Sequence, residues 1–142
     1  HKSIIVSENN LVLSHDEALL LHSGNLARGY EGSILRLNKP YECKRSYNLQ
    51  KFKDFHDAEA TIIGYVEGKG KRAGTLGKFI MQDDDGIEFG CPPGKGYTYA
   101  DLTYILQNIN SYMSKRATFT YFERTKAQSY RHPHYKTLRN YE

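Results

Sequence analysis

Hydrophobic and polar positions change their spacing several times along this 142-residue chain, and each change marks an element. Ile4-Ile5-Val6 reads as a short strand. Ser14 stands three residues before Glu17 and ahead of Ala18-Leu19-Leu20-Leu21, so a capping box predicts a helix over residues 15–23, with Gly24-Asn25 as its stop. Residues 31–37 and 41–45 read as strands joined around Asn38-Lys39-Pro40, and residues 48–53 as a third. Residues 58–66 alternate with the period of two expected of a half-buried strand. Gly68 to Gly74 forms a flexible basic turn, and Leu76 to Gln82 another strand. Asp83-Asp84-Asp85-Gly86 makes a hairpin turn into Ile87-Glu88-Phe89. The prolines and glycines from Cys91 to Gly96 predict irregular backbone. Thr98 caps a helix whose stripe is Leu102, Ile105, Leu106, Ile109 and Met113. Residues 117–123 and 135–138 complete the strands.

From residue 56 onward the order is strand, strand, strand, helix, strand, strand, which is that of an OB-fold barrel with one helix. The fold expected is mainly β, of the α+β class, with residues 1–55 and 56–142 as two parts. The first part is too short to close a core alone and reads as the end of a larger α/β domain. The chain opens on His1 in place of Met, as a piece of something longer would.

Composition narrows the class without deciding it. Apolar content is 39% and charged content 25%, and no apolar stretch reaches membrane-spanning length, so a soluble, cytoplasmic protein is expected. Cys43 and Cys91 lie far apart with no metal-ligand spacing and read as free thiols. Net charge is +4, and the cations cluster at Lys44-Arg45, Lys51/Lys53, Lys69-Lys71-Arg72, Lys115-Arg116 and Arg124-Lys126. Such clustering suits a polyanion better than the net charge alone does.

Three clusters could carry chemistry. Glu31-Gly32 puts a carboxylate where a magnesium ion could bridge to phosphate, although the dipeptide is common. Arg36 lies an odd number of residues from Glu31, so on a straight strand the two face opposite ways. Lys51 and Lys53 are two apart, projecting from one face while Phe52 turns inward. Paired ammonium groups suit an anion held between them, or solvated lysines on an exposed edge. Phosphoryl transfer needs such cations because charge spreads over the non-bridging oxygens. In the string from Glu67 to Gly77, glycines admit close approach to phosphate and Lys69, Lys71 and Arg72 supply charge. His132 and His134 flank Pro133, and a zinc site would need further ligands.

Glu31-Gly32, Arg36, Lys44-Arg45-Ser46 and Lys51-Phe52-Lys53, in that order, resemble motifs IV and V of ATP-dependent DNA ligases. The Gly68–Gly74 turn resembles that family's DNA-facing turn, and Tyr130 to Arg139 resembles its motif VI. The likeness runs from about Gly29 to the C-terminus and is of the phage or viral kind. It departs at Asn140-Tyr141-Glu142, where many relatives end in two acids and a lysine, and at Cys91-Pro92-Pro93, an insert in a Gly-x-Gly-Phe-Thr-like loop. No Lys-x-Asp-Gly occurs, so the family's lysine nucleophile is absent and no catalytic residue is assigned.

The resemblance implies the end of a nucleotidyltransferase (adenylation) domain followed by an OB domain. It implies ATP and Mg2+ as cofactors, Glu31 as metal contact, and Glu31, Arg36, Arg45, Lys51, Lys53, Arg131 and Arg139 as nucleotide-binding. Lys69, Lys71 and Arg72 would touch the phosphates of nicked duplex DNA. A lysine supplied by the missing N-terminal part of the adenylation domain would be adenylylated, AMP would pass to a 5′-phosphate, and the 3′-hydroxyl would displace it, as in replication, repair and recombination. The OB domain is expected to swing about Lys53-Asp54-Phe55, and the chain alone should not adenylylate itself. The alternatives are a stand-alone OB module that only grips nucleic acid, and an RNA-ligase or capping-enzyme relative.

Overall fold

A computed structural model describes residues 3–139 and divides the chain into two units, residues 1–54 and 55–142. The Asn140-Tyr141-Glu142 ending lies outside the described residues.

In the first unit, helix α1 spans His15–Ala27. The Ser14 hydroxyl accepts from the Glu17 amide, and Asp16 and Glu17 sit where the helix dipole favours anions. Only half of the expected box forms, because the Glu17 carboxylate takes the Leu13 amide at 2.7 Å. The helix runs through Gly24-Asn25 and stops at Gly29, whose φ of +83° is the left-handed conformation that ends a helix. Asn25 is kept helical by its side chain, which donates to the Ser33 hydroxyl at 2.9 Å.

Strands β1 (Ser33–Arg36) and β2 (Leu49–Phe52) pair antiparallel, with Ile34 opposite Lys51 and Arg36 opposite Leu49. Two expected strands are absent. Ile4-Ile5-Val6 lies exposed outside any element, a β-branched run with no partner strand among the described residues. Residues 41–45 form a loop after Pro40 that returns the chain to β2, tied where the Leu37 amide donates to Asn48 O at 2.8 Å.

The second unit is the barrel. Its strands are β3 (His56–Glu67), β4 (Leu76–Gln82), β5 (Glu88–Cys91), β6 (Arg116–Tyr121) and β9 (His134–Leu138), ordered β5-β4-β3-β6-β9 with every pair antiparallel. The two edges meet at a parallel bridge between Pro93 and Tyr135. There the Tyr135 amide donates to Pro92 O at 2.8 Å and the Gly94 amide to Tyr135 O at 2.9 Å. The prolines thus sit at a seam where their missing N–H groups leave no gap in a ladder. Cys91, expected in irregular backbone, ends β5 and is fully buried.

Helix α2 (Tyr99–Gln107) carries the complete capping box of Thr98 and Asp101 and buries Leu102 and Ile105 in the barrel core. That core also holds Ile62, Leu76, Phe79, Met81, Phe89, Phe119 and Tyr135. The stripe continues past the helix through a 3-10 turn, with Ile109 and Met113 packed against the core. No helix among the described residues is long and apolar enough to cross a membrane.

Residues 117–123 are not one strand. The ladder breaks at Phe122, and β7 (Glu123–Arg124) pairs with β8 (Tyr130–Arg131) as a separate hairpin. What pins this hairpin comes from far along the chain. The Tyr130 hydroxyl donates to the buried Asp83 carboxylate at 2.8 Å, and Arg124 lies 4.2 Å over the Tyr130 ring. Burial alone would push the Asp83 carboxyl up. Hydrogen bonds from the Ile87 amide, Tyr130 and the Asp85 amide, with the Arg124 charge, outweigh it and hold the group below the ordinary aspartate range.

Ionised Asp83 stabilises the fold above the ordinary carboxylate pKa, and that contribution is lost as pH falls through the lower folded-state value. Asp83→Asn is expected to cost about 1–3 kcal/mol at neutral pH. Melting curves across pH should show the gap between wild type and variant closing on acidification; a constant gap would contradict this origin.

Candidate nucleotide and phosphate sites

The β1–β2 ribbon has two unlike faces. Ser33, Leu35 and Phe52 are half-buried and turn inward, whereas Ile34, Arg36, Leu49 and Lys51 are exposed. The inner face meets α1 through His22, whose ring stacks on Phe52 with centroids 4.1 Å apart. The outer face carries the cations.

Arg36, Lys39, Lys44, Arg45 and Lys51 line an open hollow of about 610 Å³ with Glu42 as its one carboxylate. A second hollow, of about 330 Å³, is lined by Glu31, Lys51 and Lys53 with Tyr30 and Ile34. Lys51 borders both. Five cations to one carboxylate give the larger hollow a net positive lining, which favours an anion over a cation there. The two hollows together, and not one common pocket, gather Glu31, Arg36, Arg45, Lys51 and Lys53, but not Arg131 or Arg139.

Glu31 precedes β1, and its carboxylate reaches round to pair with Lys53. The odd spacing from Arg36 therefore separates the two: Glu31 borders the smaller hollow and Arg36 the larger. Gly32 is required between them, because a Cβ there would collide with the Phe52 carbonyl oxygen.

The turn at 68–74 is tied by hydrogen bonds of its own. Gly70–Arg72 forms a 3-10 turn, and the Gly68 amide donates to Thr75 O at 2.8 Å. The Gly74 amide donates to the Glu67 carboxylate at 2.7 Å, and the Tyr99 hydroxyl to Lys71 O at 3.3 Å. Gly68 must be glycine because a Cβ there would strike Arg72 O. Lys69, Lys71 and Arg72 are exposed, and no ion pair engages them among the described residues.

Arg131 and Arg139 stand differently. Arg131 pairs with Glu123 and Arg139 with Glu59. The Phe122 amide bonds Arg131 O while the Arg139 amide bonds Arg116 O, so the two arginines flank opposite ends of β6, roughly 20 Å apart along the strand. They do not converge on one point within the barrel. His132, at φ +52°, and His134 join no group of three metal-ligating side chains among the described residues.

Sequence reasoning missed three contributors. His22, 3% exposed, carries no motif signal in a helix whose pattern is only weakly amphipathic. Lys39 and Lys44 were visible as charges, but only the loop geometry puts them beside Lys51.

Comparison with known proteins gives a consistent result. Residues 67–139, just over half of the chain, match the family model described as DNA ligase OB-like domain. A DNA ligase of African swine fever virus is 35% identical over 115 residues, covering 77% of this chain and 27% of its own length. The DNA ligase of bacteriophage T4 is 31% identical over 124 residues, covering 81% of this chain and 25% of its own. The chain thus spans about a quarter of the length of the curated relatives it matches. Among solved structures, a Lig E DNA ligase superposes with a TM-score of 0.72 at 25% identity, over 90% of this chain and 48% of that one. A Chlorella virus DNA ligase-adenylate does so with a TM-score of 0.55 at 30% identity, over 92% and 49%.

Proposed function

This chain belongs to the DNA ligase OB-like domain family, and from that premise we propose that it forms part of an ATP-dependent DNA ligase that seals nicks in duplex DNA. The first unit acts as the end of the adenylation domain and the second as the OB domain. The observation that carries this reading is the β1–β2 ribbon, which sets Arg36, Arg45 and Lys51 around one hollow and Glu31, Lys51 and Lys53 around its neighbour.

The roles follow from charge. Lys51 and Lys53 neutralise the α-phosphate oxygens, on which charge builds as a nucleophilic lysine, supplied outside this sequence, displaces pyrophosphate. Arg36 and Arg45 hold the nucleotide in register with that step. Glu31 is the residue that would hold Mg2+, which screens phosphate charge when bound. A single exposed carboxylate fits an ion that keeps most of its waters and borrows phosphate oxygens. Arg131 exchanges its carboxylate for a β- or γ-phosphate oxygen, whereas Arg139, roughly 20 Å away along β6, is too distant to grip the same phosphates from the same position. The enzyme works in the cytoplasm of a prokaryote or of an infected host cell.

Lys69, Lys71 and Arg72 bind backbone phosphates of the nicked duplex without reading sequence. The test is a salt titration of nicked-duplex binding by the 142-residue chain. Replacing all three by alanine should reduce the slope of log affinity against log salt by roughly three, with little change between DNA sequences. An unchanged slope would remove the turn from the DNA interface.

A further inference from the structure

His22 is 3% exposed, yet both of its ring nitrogens find partners. Nδ1 lies 3.0 Å from the Ser33 hydroxyl and Nε2 lies 3.2 Å from an Asp54 carboxylate oxygen. Asn25 already donates to the Ser33 hydroxyl at 2.9 Å, which leaves that hydroxyl's own proton for Nδ1. One direction then satisfies every member: Asn25 to Ser33, Ser33 to His22, His22 Nε2–H to Asp54. Serine, histidine and aspartate are also the members of a hydrolytic triad. Here, however, Ser33 lies on the inner face of the ribbon, beneath the face that carries the cations, and its hydroxyl is engaged by Asn25 and His22. The relay is a tie, not a nucleophile.

What it ties is specific. Ser33 follows Glu31-Gly32, Phe52 separates Lys51 from Lys53 and stacks on the imidazole, and Asp54 follows Lys53. The ring therefore holds the start of β1 and the end of β2 at once, from the side opposite the cations. Two four-residue strands cannot hold register alone, because an isolated hairpin is at best marginally stable in water.

We infer that His22 is a positioning residue that fixes the spacing of Glu31, Lys51 and Lys53 through the reverse face of the ribbon. This rests on the reading given above only for what those three groups hold. In the 142-residue chain, His22→Phe keeps the buried ring and its stacking but removes both hydrogen bonds. His22→Gln keeps one acceptor and one donor.

Amide exchange of β1 and β2 should quicken about tenfold or more in His22→Phe and return to within about threefold of wild type in His22→Gln, each hydrogen bond being worth close to a tenfold factor. Mg·ATP affinity should follow the same order, while melting of the barrel stays where it was. Wild-type exchange in His22→Phe, or a glutamine variant no better than phenylalanine, would overturn the inference. Absence of Mg·ATP binding by the wild-type chain would instead overturn the nucleotide reading, and the exchange result would still decide the role of His22.

Discussion

Reversing both lysines of the ribbon, Lys51→Glu with Lys53→Glu, is expected to lower Mg·ATP affinity by about a hundredfold or more. Each charge-assisted hydrogen bond to phosphate is worth about 1.5–3 kcal/mol, and two are lost. Repulsion adds to the loss, since a carboxylate at 53 faces Glu31, now its ion-pair partner. Lys51 borders both hollows, so Lys51→Ala should weaken binding more than Arg36→Ala or Arg45→Ala, each of which touches one. Barrel melting should not move, because neither lysine belongs to the barrel unit. Calorimetric titration checks this. Affinity within about threefold of wild type would mean that the ribbon is not where phosphate binds.

The largest stability effect is expected at Phe119. Its ring is fully buried, 4.8 Å from Phe89 and 4.8 Å edge-on to Tyr130. Phe119→Ala leaves a cavity at the junction of the barrel core and the β7–β8 hairpin. The cost is about 3–5 kcal/mol from lost transfer and cavity formation, with about 0.5–1.5 kcal/mol more for each aromatic pair. A domain with total stability of about 5–15 kcal/mol would then have little margin at ambient temperature. Urea unfolding followed by tyrosine fluorescence measures the loss. A change below about 1 kcal/mol would mean that the barrel core does not close around this ring.

Where local chemistry decides an element, the sequence was sufficient. Leu76–Gln82 forms as expected because Phe79 and Met81 face the core two residues apart and the Asp83–Gly86 turn acts within a few residues. Thr98 and Asp101 likewise start α2 without help from elsewhere. The failures have partners far away. The run at Ile4-Ile5-Val6 has strand propensity but pairs with no strand among the described residues, and propensity alone forms no sheet. Helix α1 passes Gly24 because Asn25 finds Ser33 in the ribbon. The β7–β8 hairpin exists because Tyr130 reaches Asp83, 47 residues earlier.

The candidate site divides in the same way. That Lys51 and Lys53 share a face, with Phe52 turned inward, followed from the period of a strand. The pairing of Ile34 with Lys51, which puts Arg36 on the face of Lys51, depends on register, and no residue in either short strand announces it. Nor does spacing say that Arg131 and Arg139 flank opposite ends of β6.

The central claim is that the outer face of the β1–β2 ribbon binds the phosphates of a nucleotide. It is tested most directly by following backbone amide resonances of the 142-residue chain as Mg·ATP is added. Saturable shifts concentrated between residues 31 and 53, largest around Lys51, are the expected result. Saturable shifts confined to the barrel, with the ribbon amides unmoved, would contradict it.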